Sequence, residues 1–252
     1  MNTHVAIING STVVSDADVA AATPALQTQV RRDFAPAWGI DADVTFVAKG
    51  KKPPAGAWWL VVLDDSDQAG ALGYHDLTND GQPLSKVFAK SDQQYGYNWT
   101  VTASHELLEM LADPDINLTV FVQSSASAGV LYAREVCDAC EADALGYDID
   151  GVTVSDFVYP AWFESFRKAK STQFDQKKHL TKPFELAAGG YIGAFDISSG
   201  SGWHQIHPAG VRAASYADRA PVGSRRERRR TPRDQWQRSS VRFATPRSGA
   251  AR

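Results

Sequence analysis

The stretch "ASHELLEMLADPD", residues 103–115, places one histidine directly before a glutamate and four positions before a second glutamate. Its pattern of leucines and polar residues is typical of a helix that ends at Pro114. With His105 set at zero on a helical wheel, Glu109 falls at about 40° and Glu106 at about 100°. His105 and Glu109 therefore lie one turn apart on the same side, close enough to bind one cation, with Glu106 beside them.

The same pattern has a second interpretation, because any amphipathic helix needs a polar face. The charge context favours a cation. A solvated helix face interleaves opposite charges at i and i+4. Here no Lys or Arg occurs between Lys90 and Arg134, although that segment contains five acidic residues: Asp92, Glu106, Glu109, Asp113 and Asp115. A bound cation would relieve the repulsion among the carboxylates on this helix.

Length and composition limit the classes of protein. The chain has 252 residues, of which 43% are hydrophobic, enough for one sizeable core or one core with an appendage. It has no run of 18 apolar residues and no basic, apolar leader at its start, so we expect a cytoplasmic protein without membrane spans, with secretion left open. Cys137 and Cys140 form a single C-x-x-C, which favours a reduced or incidental pair over a four-cysteine zinc site. The oligomeric state is not indicated.

The charge is unevenly distributed along the chain. Residues 209–252 contain 12 Arg, no Lys and three acidic residues, giving +9, so the total of -3 leaves -12 on residues 1–208. This Pro-, Ser- and Gly-containing stretch is typical of a disordered Arg-rich tail. Such a tail can bind nucleic acid, but we favour a solvated extension, and nothing in the acidic body predicts a nucleic-acid module.

The order of elements before Pro114 predicts a sheet with a helix packed under it. "HVAIING" (4–10), "DVTFVAK" and "AWWLVVLDD" have strand composition. Residues 16–39 have helix composition, with Asp16 or Asp18 as N-cap, Pro24 in the first turn or at a break, and Gly39 at the end. The segment "ALGYHDLTNDGQPLSKVFAK" is predicted to be a loop-rich edge around the turn "NDG".

After Pro114 the sequence pattern becomes that of short hairpins. "NLTVFVQ" and "GVLYAREVCDACEA" predict one hairpin, and "GYDIDGVTVSDFVYP" predicts two strands around "DIDG". "AWFESFRKA" predicts a short helix, and "GGYIGAFDISSGSGWHQI" predicts Gly-rich loops, so His204 and His207 in "WHQIH" are expected to have ordinary polar roles. His75, on the edge segment, is a candidate for lining a cleft, and Tyr159 and Tyr191 are weaker candidates for assisting a reaction.

Four motifs together resemble a group of poorly characterised bacterial proteins regarded as zincin-like metalloproteases: "SHELLEMLADPD", "REVCDACEAD", "VSDFVYPAWF" and "GGYIGAFD". The resemblance covers roughly residues 4–208. It implies an α+β, zincin-like (metzincin-like) fold with a mixed twisted sheet. Residues 1–114 would form the upper subdomain, ending in the active-site helix, and residues 115–208 a lower, loop-rich C-terminal subdomain.

The resemblance also implies a zinc site, for which His105 and Glu109 supply two ligands. Zinc needs a third protein ligand, and the candidates are Glu135 and Asp138 in "REVCDACEAD", with Asp113 a weaker one. Most zincins have a second histidine where this chain has Glu109. The Met-turn of the metzincins is also absent, since the only methionines are Met1 and Met110.

The function that we predict is that of a zinc-dependent metallopeptidase acting on a peptide or protein substrate, with Glu106 as general base. The alternative is a non-catalytic binding protein on a zincin scaffold, with a structural metal or none. Sites made of histidine and carboxylates also accept manganese and iron. Nucleic acid would be bound only through the Arg-rich tail.

Overall fold

The largest β-sheet of this protein is mixed. The computed structural model describes residues 3–67, 71–78, 80–199 and 202–208, so the Arg-rich tail lies outside the described residues. The sheet consists of β1 (Thr3–Asn9), β2 (Ala42–Val47), β3 (Trp58–Leu63), β4 (Gly73–Leu77) and β5 (Pro83–Phe88). Their spatial order is β2-β1-β3-β5-β4, and β4 alone is antiparallel to its neighbour. The predicted α+β class and mixed sheet are confirmed.

The predicted edge segment is a hairpin of two regular strands, so the expectation of loops there is wrong. β4 is an edge strand as predicted, but β5 lies between β3 and β4. The segment contains Lys86, a residue type that is rarely buried. Its ammonium is nevertheless buried in β5, because it donates hydrogen bonds to Asp67 and to the Tyr74 hydroxyl. Residue 79, in the predicted "NDG" turn, lies outside the described residues.

The first helical segment has three parts. These are α1 (Asp16–Thr28), a π-helical stretch (Gln29–Phe34) and α2 (Ala35–Trp38), which ends at Gly39 with φ 69° as predicted. The predicted N-cap is wrong. Ser15 caps the helix, because its side chain accepts a hydrogen bond from the Asp18 N–H while Asp18 accepts one from the Ser15 N–H. Pro24 lies inside α1 and neither begins nor breaks it.

The helix that carries the His-Glu-x-x-Glu motif is α4 (Trp99–Ala112), preceded by the short α3 (Ala89–Tyr95). Asn98 caps α4 by accepting a hydrogen bond from the Thr100 N–H. Asp113, which precedes a proline, closes the helix, and its Oδ1 accepts hydrogen bonds from the N–H groups of Asn117 and Leu118. The helix packs against β4 and β5, as the sequence predicts for the last helix under the sheet.

The second half of the described chain contains a four-stranded antiparallel sheet. Its strands are β6 (Thr119–Gln123), β7 (Gly129–Ala133), β10 (Ile192–Asp196) and β11 (Trp203–Ile206), in the spatial order β11-β10-β7-β6. Between them β8 (Tyr147–Ile149) and β9 (Val152–Val154) form the hairpin predicted around "DIDG". The prediction of Gly-rich loops at the end of the body is wrong, because β10 pairs with both β7 and β11. The predicted helix at "AWFESFRKA" is only a 3-10 turn, Pro160–Phe163.

One hydrophobic core extends across residue 114. It joins Leu60 of β3 and Leu107 of α4 to Phe157, Trp162 and Ile192 from the second half of the chain. A smaller cluster lies on the other face of the first sheet and includes Ala6, Ile8 and Val61. Within the described ranges, no helix combines the length and the apolar character needed to span a bilayer.

Asp92 of α3 supplies a test of this packing. Its side chain is buried and accepts a hydrogen bond from the Thr102 hydroxyl of α4, and burial raises its pKa to about 7. Because the folded pKa lies above the unfolded value, the free energy of unfolding should fall as the pH rises from about 4 to 7 and then level off.

Asp92→Asn keeps the acceptor for Thr102 and removes the buried charge. We expect it to raise the free energy of unfolding by about 2–4 kcal/mol at pH 8 and to have little effect at pH 4. Urea denaturation at both pH values measures this difference. The exposed Asp80→Asn is the matched control, and an equal effect of both substitutions at pH 8 would contradict the assignment.

Candidate metal centre

Helix α4 is held at a fixed rotation by hydrogen bonds on two sides. On the sheet side, the buried Ser85 hydroxyl of β5 donates to the Glu106 carbonyl (3.0 Å). On the opposite side, the Ser155 N–H donates to the Ser104 hydroxyl (2.6 Å), and the Thr100 hydroxyl donates to a carbonyl of β9 (2.6 Å). These contacts involve the first sheet and the β8–β9 region, and they determine which way the polar face of the helix points.

The polar face of α4 does not face water. Glu109 and Asp113 are fully buried, Glu106 is 5% exposed, and the His105 side chain is 12% exposed. The interpretation of "HELLE" as the solvated face of an amphipathic helix is therefore wrong. The face packs against β4 and against the turn that follows β7.

Three of the predicted metal ligands converge on one point. The Nε2 atom of His105 lies 3.2 Å from the Oε2 atom of Glu109 and 3.3 Å from the Oδ1 atom of Asp138. Charge-assisted N–H···O hydrogen bonds are shorter, about 2.7–2.9 Å. Two ligands bound tetrahedrally to zinc at about 2.0–2.1 Å are separated by about 3.3 Å or slightly more. The observed spacing is therefore close to that of two ligands of one zinc ion.

The turn after β7 brings Asp138 to the helix. The Cys137 N–H donates to the Oε1 of Glu109 (3.2 Å), which ties the turn to α4. The segment after residue 186 supports the turn from the other side, because the Tyr191 N–H donates to the Asp138 carbonyl (3.0 Å). The approach requires glycine at position 190, since a Cβ there would lie 2.3 Å from the Ala139 carbonyl oxygen.

The two alternatives for the third ligand occupy different positions. Asp138 lies with His105 and Glu109, whereas the Oε2 of Glu135 lies 3.9 Å from the Nε2 of His75. Both carboxylates are buried. Asp113, the weaker candidate, groups with His75 and Glu135 and not with His105.

The Glu106 side chain extends from helix α4 toward the edge strand β4. A Cβ at Gly73 of β4 would come within 2.8 Å of the Glu106 Cγ and 3.0 Å of its Oε1. One ligand atom each from Glu106, Glu109 and His75 lies within 4.8 Å of the other two. Glu106 is therefore next to the predicted metal ligands, and the absence of a side chain at Gly73 gives it room.

His75 lies closer to the candidate metal centre than the sequence predicts. It is 1% exposed and lies near four carboxylates, those of Glu106, Glu109, Asp113 and Glu135. The only sequence signal is its position two residues after Gly73, which places both on the same face of β4. That this face of β4 points toward helix α4 becomes evident only when the pairing of His75 with Ser85 is known.

The electrostatics of the centre favour positive charge. Burial lowers the pKa of His105, but Glu109, Asp138 and Glu106 outweigh that effect and hold the pKa well above its ordinary value. Burial, together with Glu109, raises the pKa of the Cys137 thiol, and burial also raises that of Cys140. Both cysteines are buried free thiols, as expected of a reduced pair, and the raised pKa values disfavour a nucleophilic thiolate.

The remaining candidates lie elsewhere. His204 is on β11, and His207 follows the last residue of that strand. The Tyr159 hydroxyl donates to the Gln176 side chain, whereas Tyr191 adjoins Asp138 through its backbone. The sequence did not predict the group formed by Asp156, Asp175 and His179. In it, His179 bonds to Asp156 (2.9 Å), and Asp175 accepts hydrogen bonds from the His179 and Leu180 N–H groups.

The donor set fits a divalent metal. One imidazole and two carboxylates, all from rigid or well-supported segments, suit zinc, manganese or iron. Comparison with protein-family profiles, with curated proteins and with solved structures finds no match for this chain.

Proposed function

We propose that this protein is a zinc-dependent metallohydrolase of zincin-like fold that cleaves peptide bonds. The observation that carries the proposal is the convergence of His105, Glu109 and Asp138 at ligand spacing, with Glu106 next to them. His105 and Glu109 come from one turn of α4, and Asp138 comes from the turn after β7.

These three residues would hold the metal. Bound zinc would polarise a substrate carbonyl and lower the pKa of a coordinated water. The role of Glu106 is to accept the proton of the attacking water. Its carboxylate is held on the β4 side of the centre by the close approach of Gly73 and by the bond from Ser85 to its backbone, and it is already shielded from bulk solvent.

The arrangement of β4 supports the choice of a peptide substrate. In the described part of the chain β4 has one sheet neighbour, β5, and runs antiparallel to it beside α4. An extended peptide can add to such an edge through its backbone groups. Such a peptide would extend along the edge of β4, the strand that the Glu106 side chain approaches at Gly73. The antiparallel edge strand next to the motif helix also supports the zincin-like fold.

Glu109 favours the alternative of a binding protein to a limited extent. A carboxylate in place of the second histidine donates more charge to the metal and weakens it as a Lewis acid. A protein that holds metal tightly but turns over no peptide would have this alternative function.

The first prediction concerns metal content. Asp138→Asn and His105→Ala should each hold about one equivalent of zinc per chain less than the wild type, measured by elemental analysis of protein purified without a His-tag. Glu141→Gln, in the same acidic stretch but outside the converging group, is the matched control and should leave the metal content unchanged. Unchanged zinc in Asp138→Asn would return the third-ligand role to Glu135.

The second prediction concerns Glu106. Glu106→Gln keeps the shape of the side chain but cannot accept a proton, so we expect hydrolysis of a peptide library to fall by at least about 10²–10⁴-fold while zinc is retained. Glu141→Gln again serves as the control for loss of one carboxylate. Activity that survives in Glu106→Gln would refute its assignment as general base.

The third prediction concerns Gly73. The methyl group of Gly73→Ala would press on the Cγ atoms of Glu106 and Thr102, at 2.8 and 2.7 Å, and displace the Glu106 carboxylate. We expect kcat to fall by about 10-fold or more with unchanged zinc content. Gly10→Ala, which meets the Leu63 side chain at 3.0 Å, controls for a tightly packed glycine and should lower stability without lowering kcat. Equal kcat values in both variants would contradict the placement of Glu106.

A further inference from the structure

A second group of ligand-type side chains lies beside the candidate metal centre. It consists of His75 from β4, Asp113 from the end of α4 and Glu135 from the segment after β7. One ligand atom from each lies within 4.8 Å of the other two. All three side chains are buried, so their convergence is a feature of the interior and not of a solvated acidic surface.

The distances within this group leave room for an ion. The Nε2 of His75 and the Oε2 of Glu135 are 3.9 Å apart, which is too long for a hydrogen bond. Two ligands at about 2.1 Å from one ion can be separated by at most about 4.2 Å. The observed separation is compatible with that limit, and it is wider than a tetrahedral pair.

The position of the Asp113 carboxylate is determined by the backbone. Its Oδ1 accepts hydrogen bonds from the N–H groups of Asn117 and Leu118, at 2.9 and 3.0 Å. The carboxylate therefore keeps one orientation relative to His75 and Glu135. His75 is placed with similar precision, because β4 and β5 pair in register through its residue and Ser85.

This region holds five buried carboxylates, those of Glu106, Glu109, Asp113, Glu135 and Asp138. A divalent ion held by His105, Glu109 and Asp138 would involve two of them, and those of Glu106, Asp113 and Glu135 group around His75. Arg134 interacts electrostatically with Asp113, but its guanidinium stacks over the Trp38 ring at 4.8 Å. Closely placed positive charge stabilises ionised carboxylates in a protein interior, and a second divalent ion held by these side chains would supply it.

We propose that His75, Asp113 and Glu135 form a second divalent-cation site, suited to a first-row ion such as zinc or manganese. Glu109 lies between the two sites, because it groups with His105 and Asp138 on one side and with His75 and Glu106 on the other. The protein then has a paired-cation centre. The proposal concerns metal binding and holds whether or not the chain hydrolyses peptides.

The test is the number of ions bound per chain. The full chain is stripped with a chelator, dialysed in parallel against Zn²⁺ and against Mn²⁺, and analysed for its metal content. We expect two equivalents of at least one of these ions in the wild type, one in Glu135→Gln and one in His75→Ala. Glu135→Gln conserves shape and guards against misfolding of the alanine variant. Two further variants serve as references, since His105→Ala should retain one equivalent and His204→Ala, on β11, should retain two.

Each other result would overturn the proposal. One equivalent of each ion in the wild type would remove the second site and leave the hydrolase proposal intact. Two equivalents that persist in both Glu135→Gln and His75→Ala would place the second ion elsewhere. Loss of all metal in His105→Ala would mean that the residues form one site. Absence of metal from the wild type would overturn this proposal and the zinc site together.

Discussion

The structure depends on the burial of five carboxylates and two histidines in one place. An ionised carboxylate removed from water is strongly destabilised unless positive charge or hydrogen-bond donors lie close to it. Glu106, Glu109, Asp113, Glu135 and Asp138 share this constraint, and the face of α4 that carries three of them is turned into the protein. The edge strand β4, helix α4 and the turn after β7 therefore have to bring their polar side chains together. The other elements pack around these three.

Short polar side chains fix the position of helix α4 relative to both halves of the chain. Ser85 fixes the helix to the sheet, and Ser104 fixes it to the segment after β9. A hydroxyl bonds within a small space and needs no charge of its own, so it can orient an acidic helix without neutralising it. The hydrophobic core continues across both halves. The centre is therefore positioned by packing from several directions, which suits ligands that must hold a fixed separation.

Local periodicity made part of the centre predictable. His105, Glu106 and Glu109 belong to one helix, and the helical repeat alone places them on one side. Which of Glu135 and Asp138 lies beside His105 and Glu109 was not predictable, because it depends on the conformation of a turn that Cys137 and Tyr191 anchor through their backbones. The position of His75 depends on strand register, which no local pattern supplies. Ser15 as N-cap was predictable in principle from its spacing to Asp18, whereas the β10–β11 pairing depends on long-range contacts in a Gly-rich segment.

The close contact at Gly190 limits how early in synthesis the candidate metal centre can form. Residues 187–191 support the turn that carries Asp138, and they lie about 50 positions beyond it in the chain. During synthesis on the ribosome, His105 and Glu109 emerge long before the segment that holds their partner in place. A complete ligand set can therefore form only after most of the body has left the exit tunnel.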